Sequence, residues 1–321
     1  MTTSCVTATP YRISTMTATG SVGTIVNLNN FYDCIEAIKH DDPNEGVIYA
    51  EYGNNKHSQV CKGVNTKKKF IRVNGKKEIS MKRFDNSVTL KIKFNERNAV
   101  INVKLFKNGK VQMTGVKSIE QGKHAVETVV NMILKFQYSK KKIKHITEGL
   151  TVNSLDLGDE ISTDAISTDA ISPDENIVEN VNLVKSQDFK IHLINSDFKV
   201  NFEIRRDLLY KVFLKEFDVI CTYEPCIYPG VKVQYFLNKD QKEITDIRKQ
   251  GVCCCSPVCD GKGDGFTTTK CKKITISVFQ SGCILITGVT MVQHINIAYS
   301  FIVELLKINE SQIKRIKLEI P

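Results

Sequence analysis

The chain has 321 residues, 41% of them hydrophobic, enough for one large globular domain or two ordinary ones. Lysine plus arginine exceed aspartate plus glutamate by 45 to 35, a formal charge of +10 that favours an anionic partner such as nucleic acid. The first thirty residues lack a basic stretch followed by a continuous apolar one, and no window approaches the ~18 uninterrupted apolar residues needed to span a bilayer, so neither secretion nor a membrane partner is expected.

In chain order, alternating apolar residues over 11–19 predict a strand, and 31–39 is compatible with a helix. A second alternating run at 100–105 leads into Phe106-Lys-Asn-Gly109-Lys110-Val-Gln-Met-Thr114-Gly115-Val116, where Gly109 suits a hairpin turn. Ser118, with Glu120 and Gln121 close behind, resembles a helix start, and Ile119, Val126, Val130 and Ile133 recur at helical spacing. These elements define a first domain, 1–147.

Next comes an acidic stretch. Residues 151–180 hold eight acidic side chains and no lysine or arginine, so the rest of the chain carries +18. Ile161-Ser-Thr-Asp-Ala repeats as Ile166-Ser-Thr-Asp-Ala and again as Ile171-Ser-Pro-Asp. Such composition buries little apolar surface, so 148–184 is expected to be a mostly disordered linker.

The second domain, 185–321, repeats the plan of the first. A strand pattern over 189–202 precedes a helix-compatible 205–213, and the strand 274–278 leads into Phe279-Gln-Ser-Gly282-Cys283-Ile-Leu-Ile-Thr287-Gly288-Val289. Phe, Gly, Thr, Gly and Val keep the register of the first copy, and Ile295, Ala298, Ile302 and Leu305 give another helical stripe. Strand, tight turn, strand and helix therefore occur twice.

The second copy carries a cysteine-rich insertion over 237–272. Eleven cysteines without a secretion signal indicate a reducing compartment and no disulfides. Cys253, Cys255, Cys259 and Cys271 could bind zinc, but their spacing lacks paired C-x2-C knuckles, so metal-free loop thiols and no cofactor are the favoured reading, with zinc the alternative. The run Asp260-Gly-Lys-Gly-Asp264-Gly265 puts Lys262 and Cys271 where a calcium loop needs oxygen ligands, so a hairpin tip explains it better. No phosphate-binding loop, metalloprotease helix or nucleophile motif appears, and no enzymatic reaction is suggested.

Tyr223-Glu-Pro-Cys-Ile-Tyr-Pro-Gly230-Val, Asp188-Phe-Lys-Ile191 and Val200-Asn-Phe-Glu-Ile-Arg205, with Lys82-Arg-Phe84 and the 106–116 run in the first half, resemble the TATA-box-binding protein family. The resemblance covers 10–138 and 187–307. It implies an α+β fold, a pseudo-symmetric saddle of two repeats, each with a curved antiparallel sheet and two helices. It also implies a general transcription factor that binds and bends AT-rich promoter double-stranded DNA through the minor groove, with initiation factors and the RNA polymerase machinery as further partners.

By motif position the aromatic wedges of that family fall at Phe84, Phe106, Tyr228 and Phe279, and its central threonines at Thr114 and Thr287. Lys110 matches a phosphate-contact position, Arg12, Lys91, Lys104 and Lys232 are expected on the same surface, and Glu224 matches a contact to the next initiation factor. The family's paired asparagines fall at Arg12 and Leu193, with Asn195 on the same strand face as a substitute, and a phosphate-binding lysine falls at Cys283. These departures keep open an alternative, a scaffold of the same fold that holds transcription proteins without specific TATA recognition. The divergence and insertions suggest a large DNA virus as source, which sets the expected location: viral factory or virion if viral, nucleus if cellular.

Overall fold

The computed structural model describes residues 6–53, 61–64, 70–73, 76–79, 86–96, 99–152, 176–239 and 244–316. Two compact units emerge, one formed by 18–190 and the other by 1–17 together with 191–321. The division falls inside two strands, β1 (Arg12–Ser21) and β9 (Gln187–Lys199), rather than in the linker between the expected domains 1–147 and 185–321.

The 18–190 unit contains the end of β1, α1 (Leu28–Asp33), β2 (Gly46–Glu51), β3 (Cys61–Gly63), β4 (Phe70–Val73), β5 (Lys76–Ile79), β6 (Ser87–Phe94), β7 (Ala99–Phe106), β8 (Lys110–Val116) and α2 (Ile119–Val152). Its strand order is β1-β8-β7-β6-β2-β3, with β4 and β5 paired separately. Period-two patterning fixes one face as core: Val88, Leu90 and Ile92, then Ile101, Val103 and Leu105, then Val111 and Met113 are fully buried, as are Phe31 of α1 and Val126, Val129 and Ile133 of α2.

α1 stops at Asp33 although helix-compatible sequence continues. Lys62 Nζ donates to the carbonyls of Tyr32, Asp33 and Ile35 at 2.8, 2.9 and 2.9 Å, so a cation satisfies groups that a continuing helix would pair internally. α2 starts where expected. Ser118 Oγ accepts from Gln121 N at 3.1 Å while Gln121 Oε1 accepts from Lys117 N at 2.8 Å, a reciprocal cap. Of its expected stripe Ile119 stays 39% exposed, lying in the first turn ahead of the packed face.

Both margins of the expected linker are structured. α2 runs on to Val152, and Ile177 and Val178 are buried, with Gln137 Oε1 accepting from Ile177 N at 2.7 Å and its Nε2 donating to Asn176 Oδ1 at 2.8 Å. Averaging over an acidic window concealed this apolar pair. The tandem repeats fall outside the described residues.

The second unit holds the start of β1, most of β9, α3 (Arg206–Glu216), β10 (Ile220–Thr222), β11 (Val231–Leu237), β12 (Lys272–Val278), β13 (Cys283–Val289), α4 (Val292–Ile308) and α5 (Glu310–Ile313). Its order is β10-β11-β12-β13-β9-β1, with α4 against β12 and β13 and α3 against β10 and β11. The expected stripe Ile295, Ala298, Ile302 and Leu305 is fully buried against Ile274, Ile276, Ile284 and Ile286.

The repeated hairpin sequence has the same pairing in both copies. Val103 pairs with Met113 and Leu105 with Val111, as Ile276 pairs with Ile286 and Val278 with Ile284. Each hairpin closes identically: Gly109 N donates to Phe106 O at 2.9 Å with φ of 75°, and Gly282 N to Phe279 O at 3.1 Å with φ of 76°. No helix among the described residues is long and apolar enough to cross a membrane.

Candidate nucleic-acid interface

Strand alternation leaves the second face of each sheet to polar and aromatic side chains. In the 18–190 unit this phase carries Thr89 and Lys91 on β6, Asn102, Lys104 and Phe106 on β7, and Lys110, Gln112 and Thr114 on β8. Pairing assembles them into rows, Thr89–Lys104–Gln112 beside Lys91–Asn102–Thr114, with half-buried Phe106 opposite Ser87 at the hairpin end. Lys110 and Thr114 are exposed, and Lys91 Nζ lies 5.5 Å from the centre of the Tyr49 ring. Ser87 Oγ and Asn102 Oδ1 are buried without a hydrogen-bond partner among the described residues, and both belong to this open phase.

In the other unit the corresponding phase presents Lys232 and Gln234 on β11, Thr275 and Ser277 on β12, Cys283, Leu285 and Thr287 on β13, and Leu193, Asn195 and Asp197 on β9. The rows here are Lys232–Ser277–Leu285–Asp197 and Gln234–Thr275–Thr287. At the hairpin end the Tyr228 and Phe279 rings meet at 5.7 Å and 60°. A Cβ on Gly230 would come within 2.8 Å of the Tyr228 ring and 3.1 Å of the Phe279 ring, so a bare backbone underlies the pair. Lys232 Nζ sits 4.0 Å from the centre of the Tyr228 ring.

Arg206, which the sequence reading missed, ties this corner together. It donates to the Pro229 carbonyl and, at 3.2 Å, to Gln280 Oε1, and its guanidinium lies 5.6 Å from the centre of the Tyr223 ring. Glu224 is exposed in the adjoining turn, where its carbonyl accepts from Ile227 N at 3.0 Å and Tyr228 N at 2.9 Å, and Cys226 and Ile227 are exposed beside it.

Phe84 lies outside the described residues. Arg12 has the strand parity of buried Met16 and Ala18, whereas Thr15 and Thr17 share the open phase of β1; the exposed Arg12 guanidinium nonetheless places Nε 2.8 Å from Oδ2 of Asp197, an open-phase residue.

Four of the loop cysteines converge. The sulfurs of Cys253, Cys255, Cys259 and Cys271 all lie within 4.8 Å of one another. Nearby, the Asp264 carboxylate accepts from the backbone N–H of Phe266, Thr267 and Thr268 and from the Thr267 hydroxyl, which holds its pKa well below the usual carboxylate range and leaves it engaged in a turn rather than in ion binding.

His294 of α4 fastens this insertion to the unit. It is fully buried, its ring stacks on Phe266 at 5.2 Å and 10°, Nε2 donates to Asp264 O at 2.8 Å, and Nδ1 accepts from Thr290 N at 3.4 Å. Burial depresses its pKa, nearby Lys272 adds to the depression, and the Asp264 carbonyl and carboxylate oppose it. A proton on Nδ1 would face the Thr290 N–H, donor against donor. Because the folded value is depressed, the stabilisation is complete above the ordinary histidine value of about 6.5 and is lost as pH falls from there through the folded value. Urea unfolding at about pH 7.5 and about pH 5.5 should show the loss, and His294→Asn should flatten that dependence; an unchanged pH profile would refute it.

No protein-family model matches the chain. It is similar, at 27% identity over 315 residues, to the TATA-box-binding protein-like protein of Acanthamoeba polyphaga mimivirus, covering 96% of this chain and 68% of that one. Among solved structures, Methanococcus jannaschii TBP matches 94% of this chain and 99% of its own at 15% identity, with a TM-score of 0.40. The similarity to the mimivirus protein spans most of this chain.

Proposed function

We propose that the chain is a TATA-box-binding-protein-like transcription factor that binds double-stranded promoter DNA in the minor groove, bends it and nucleates initiation. One observation carries the reading: each unit presents an open sheet face whose matched rows end, at the same glycine-closed hairpin, in a partly exposed aromatic side chain, Phe106 in one and Phe279 with Tyr228 in the other.

Each part of that face suits a different component of the duplex. Thr114, Thr287, Gln112, Gln234 and Asn195 can donate to the A N3 and T O2 acceptors of the minor groove. Lys91, Lys104, Lys110 and Lys232 offer charge to phosphates, and the exposed Arg12 guanidinium suits a phosphate better than a base. Aromatic rings at the hairpin ends can enter between base steps, where unstacking is offset by the extra contacts of a bent duplex. The exposed turn of Glu224 is the surface offered to an initiation factor.

Leu193 and Cys283 favour a second reading. Both occupy the open phase where hydrogen-bond donors or cations would recognise DNA, which fits a scaffold that holds transcription proteins without TATA specificity. Fluorescence-detected bending of an AT-rich and a GC-rich duplex across a salt series separates the two. The proposal expects bending, stronger on the AT-rich duplex, and affinity that falls steeply with salt. Binding without bending, or no binding at physiological salt, rejects it for the scaffold.

A further inference from the structure

We propose that Cys253, Cys255, Cys259 and Cys271 bind one Zn2+ through four thiolates and that this ion shapes the insertion between β11 and β12. Zn–S bonds of about 2.3 Å in a tetrahedron set sulfur–sulfur edges of about 3.8 Å. The structure gives 3.7 Å for Cys253–Cys259, 3.7 Å for Cys255–Cys271 and 3.8 Å for Cys253–Cys271. Two disulfides would instead draw each pair to about 2.05 Å and leave no reason for a third contact of similar length. Cys254, adjacent in sequence to two of the four, is exposed and outside the group, so proximity in the chain alone does not explain the convergence.

The surroundings suit thiolates. The Gly261 backbone N–H donates to Cys259, and Asn238 Nδ2 lies 3.8 Å from the Cys271 sulfur in a buried position. Four protein ligands leave no open position, so the ion is structural and supplies no Lewis acid.

Folding gives the ion its purpose. Three of the four ligands come from an irregular loop and the fourth from the residue before β12, so closing the site joins the loop to the sheet. The loop is held otherwise by scattered contacts, among them Phe236 N to Gly251 O and Lys273 N to Gly261 O, both 2.8 Å. His294 then fixes the far side of the same lobe to α4.

Elemental analysis of the full chain, expressed with zinc and purified without chelator, should return one zinc per chain. Removing the metal should lower the melting temperature, and Co2+ added to the stripped protein should give the visible absorption of a tetrahedral thiolate site, saturating at one equivalent. Cys255→Ser should carry far less than one zinc, whereas Cys254→Ser should retain it. Cys255→Ser lies in a partly exposed loop, and the cobalt titration on the unmutated chain decides the matter even where that variant misfolds. Substoichiometric zinc together with no thiolate spectrum, or full zinc retention by Cys255→Ser, would overturn the assignment.

Discussion

A chain carrying Phe106→Ala and Phe279→Ala should lose DNA bending while keeping most of its salt-sensitive attraction to any duplex. Stacking of a base on an aromatic side chain is worth ~1–3 kcal/mol, so removing two rings costs ~2–6 kcal/mol, or at least about thirtyfold in affinity for the bent complex. Nonspecific attraction arises from lysines at phosphates and is untouched by the change, so the slope of log affinity against log salt should stay nearly constant. Both rings are partly buried, so some folding stability is lost with them and bending is compared between folded samples. Fluorescence bending and a salt titration on the same samples provide the check. A double variant that bends DNA as well as the parent would remove the aromatic wedges from the mechanism.

The largest effect on stability is expected at Gly109. Its φ of 75° is the left-handed region, where a side chain costs ~1–2 kcal/mol, and a Cβ there would sit 2.1 Å from the carbonyl oxygen of Thr24. That neighbour is backbone and cannot swing aside, so the turn or the 22–26 segment must move and weaken the bonds Val22 N to Gly109 O and Val26 N to Lys107 O. Gly109→Ala should therefore destabilise by ~3 kcal/mol or more. Gly288 is the matched control: its φ is 81°, but a Cβ would lie 3.4 Å from its nearest neighbour, Lys273 O, so Gly288→Ala should cost only the conformational part, ~1–2 kcal/mol. Denaturant unfolding of both variants measures the difference, and equal losses would show that the Thr24 contact is relieved at little cost.

The twin hairpins were legible because local requirements write themselves into sequence. A turn at positive φ demands glycine, and a strand covered on one face alternates, so Phe106 to Val116 and Phe279 to Val289 announced themselves from residue types at fixed offsets. Features made by tertiary approach left weaker traces. Cys271 comes to the other three thiols only because β12 begins where it does, and no consensus spacing encodes that. Arg206 and Gly230 act through Pro229, Gln280 and two rings, partners that only the folded corner brings together. Arg12 shows a third pattern: its strand parity is that of buried Met16 and Ala18, yet its exposed side chain reaches Asp197 of the open phase.

The N-terminal segment also has an order of events written into it. Thr9 N bonds Lys199 O at 2.8 Å, Ser14 Oγ bonds Asn195 O at 3.0 Å, and Tyr299 Oη bonds Thr9 O at 2.9 Å, so residues 1–17 belong with partners far along the chain. The contacts of the 18–190 unit lie within one contiguous stretch of chain, whereas residues 6–17 find their partners only once 191–321 is ordered, which closes a long loop. The start of β1 is thus among the last parts of its unit to dock, and until then it is an unpaired strand end open to wrong pairing.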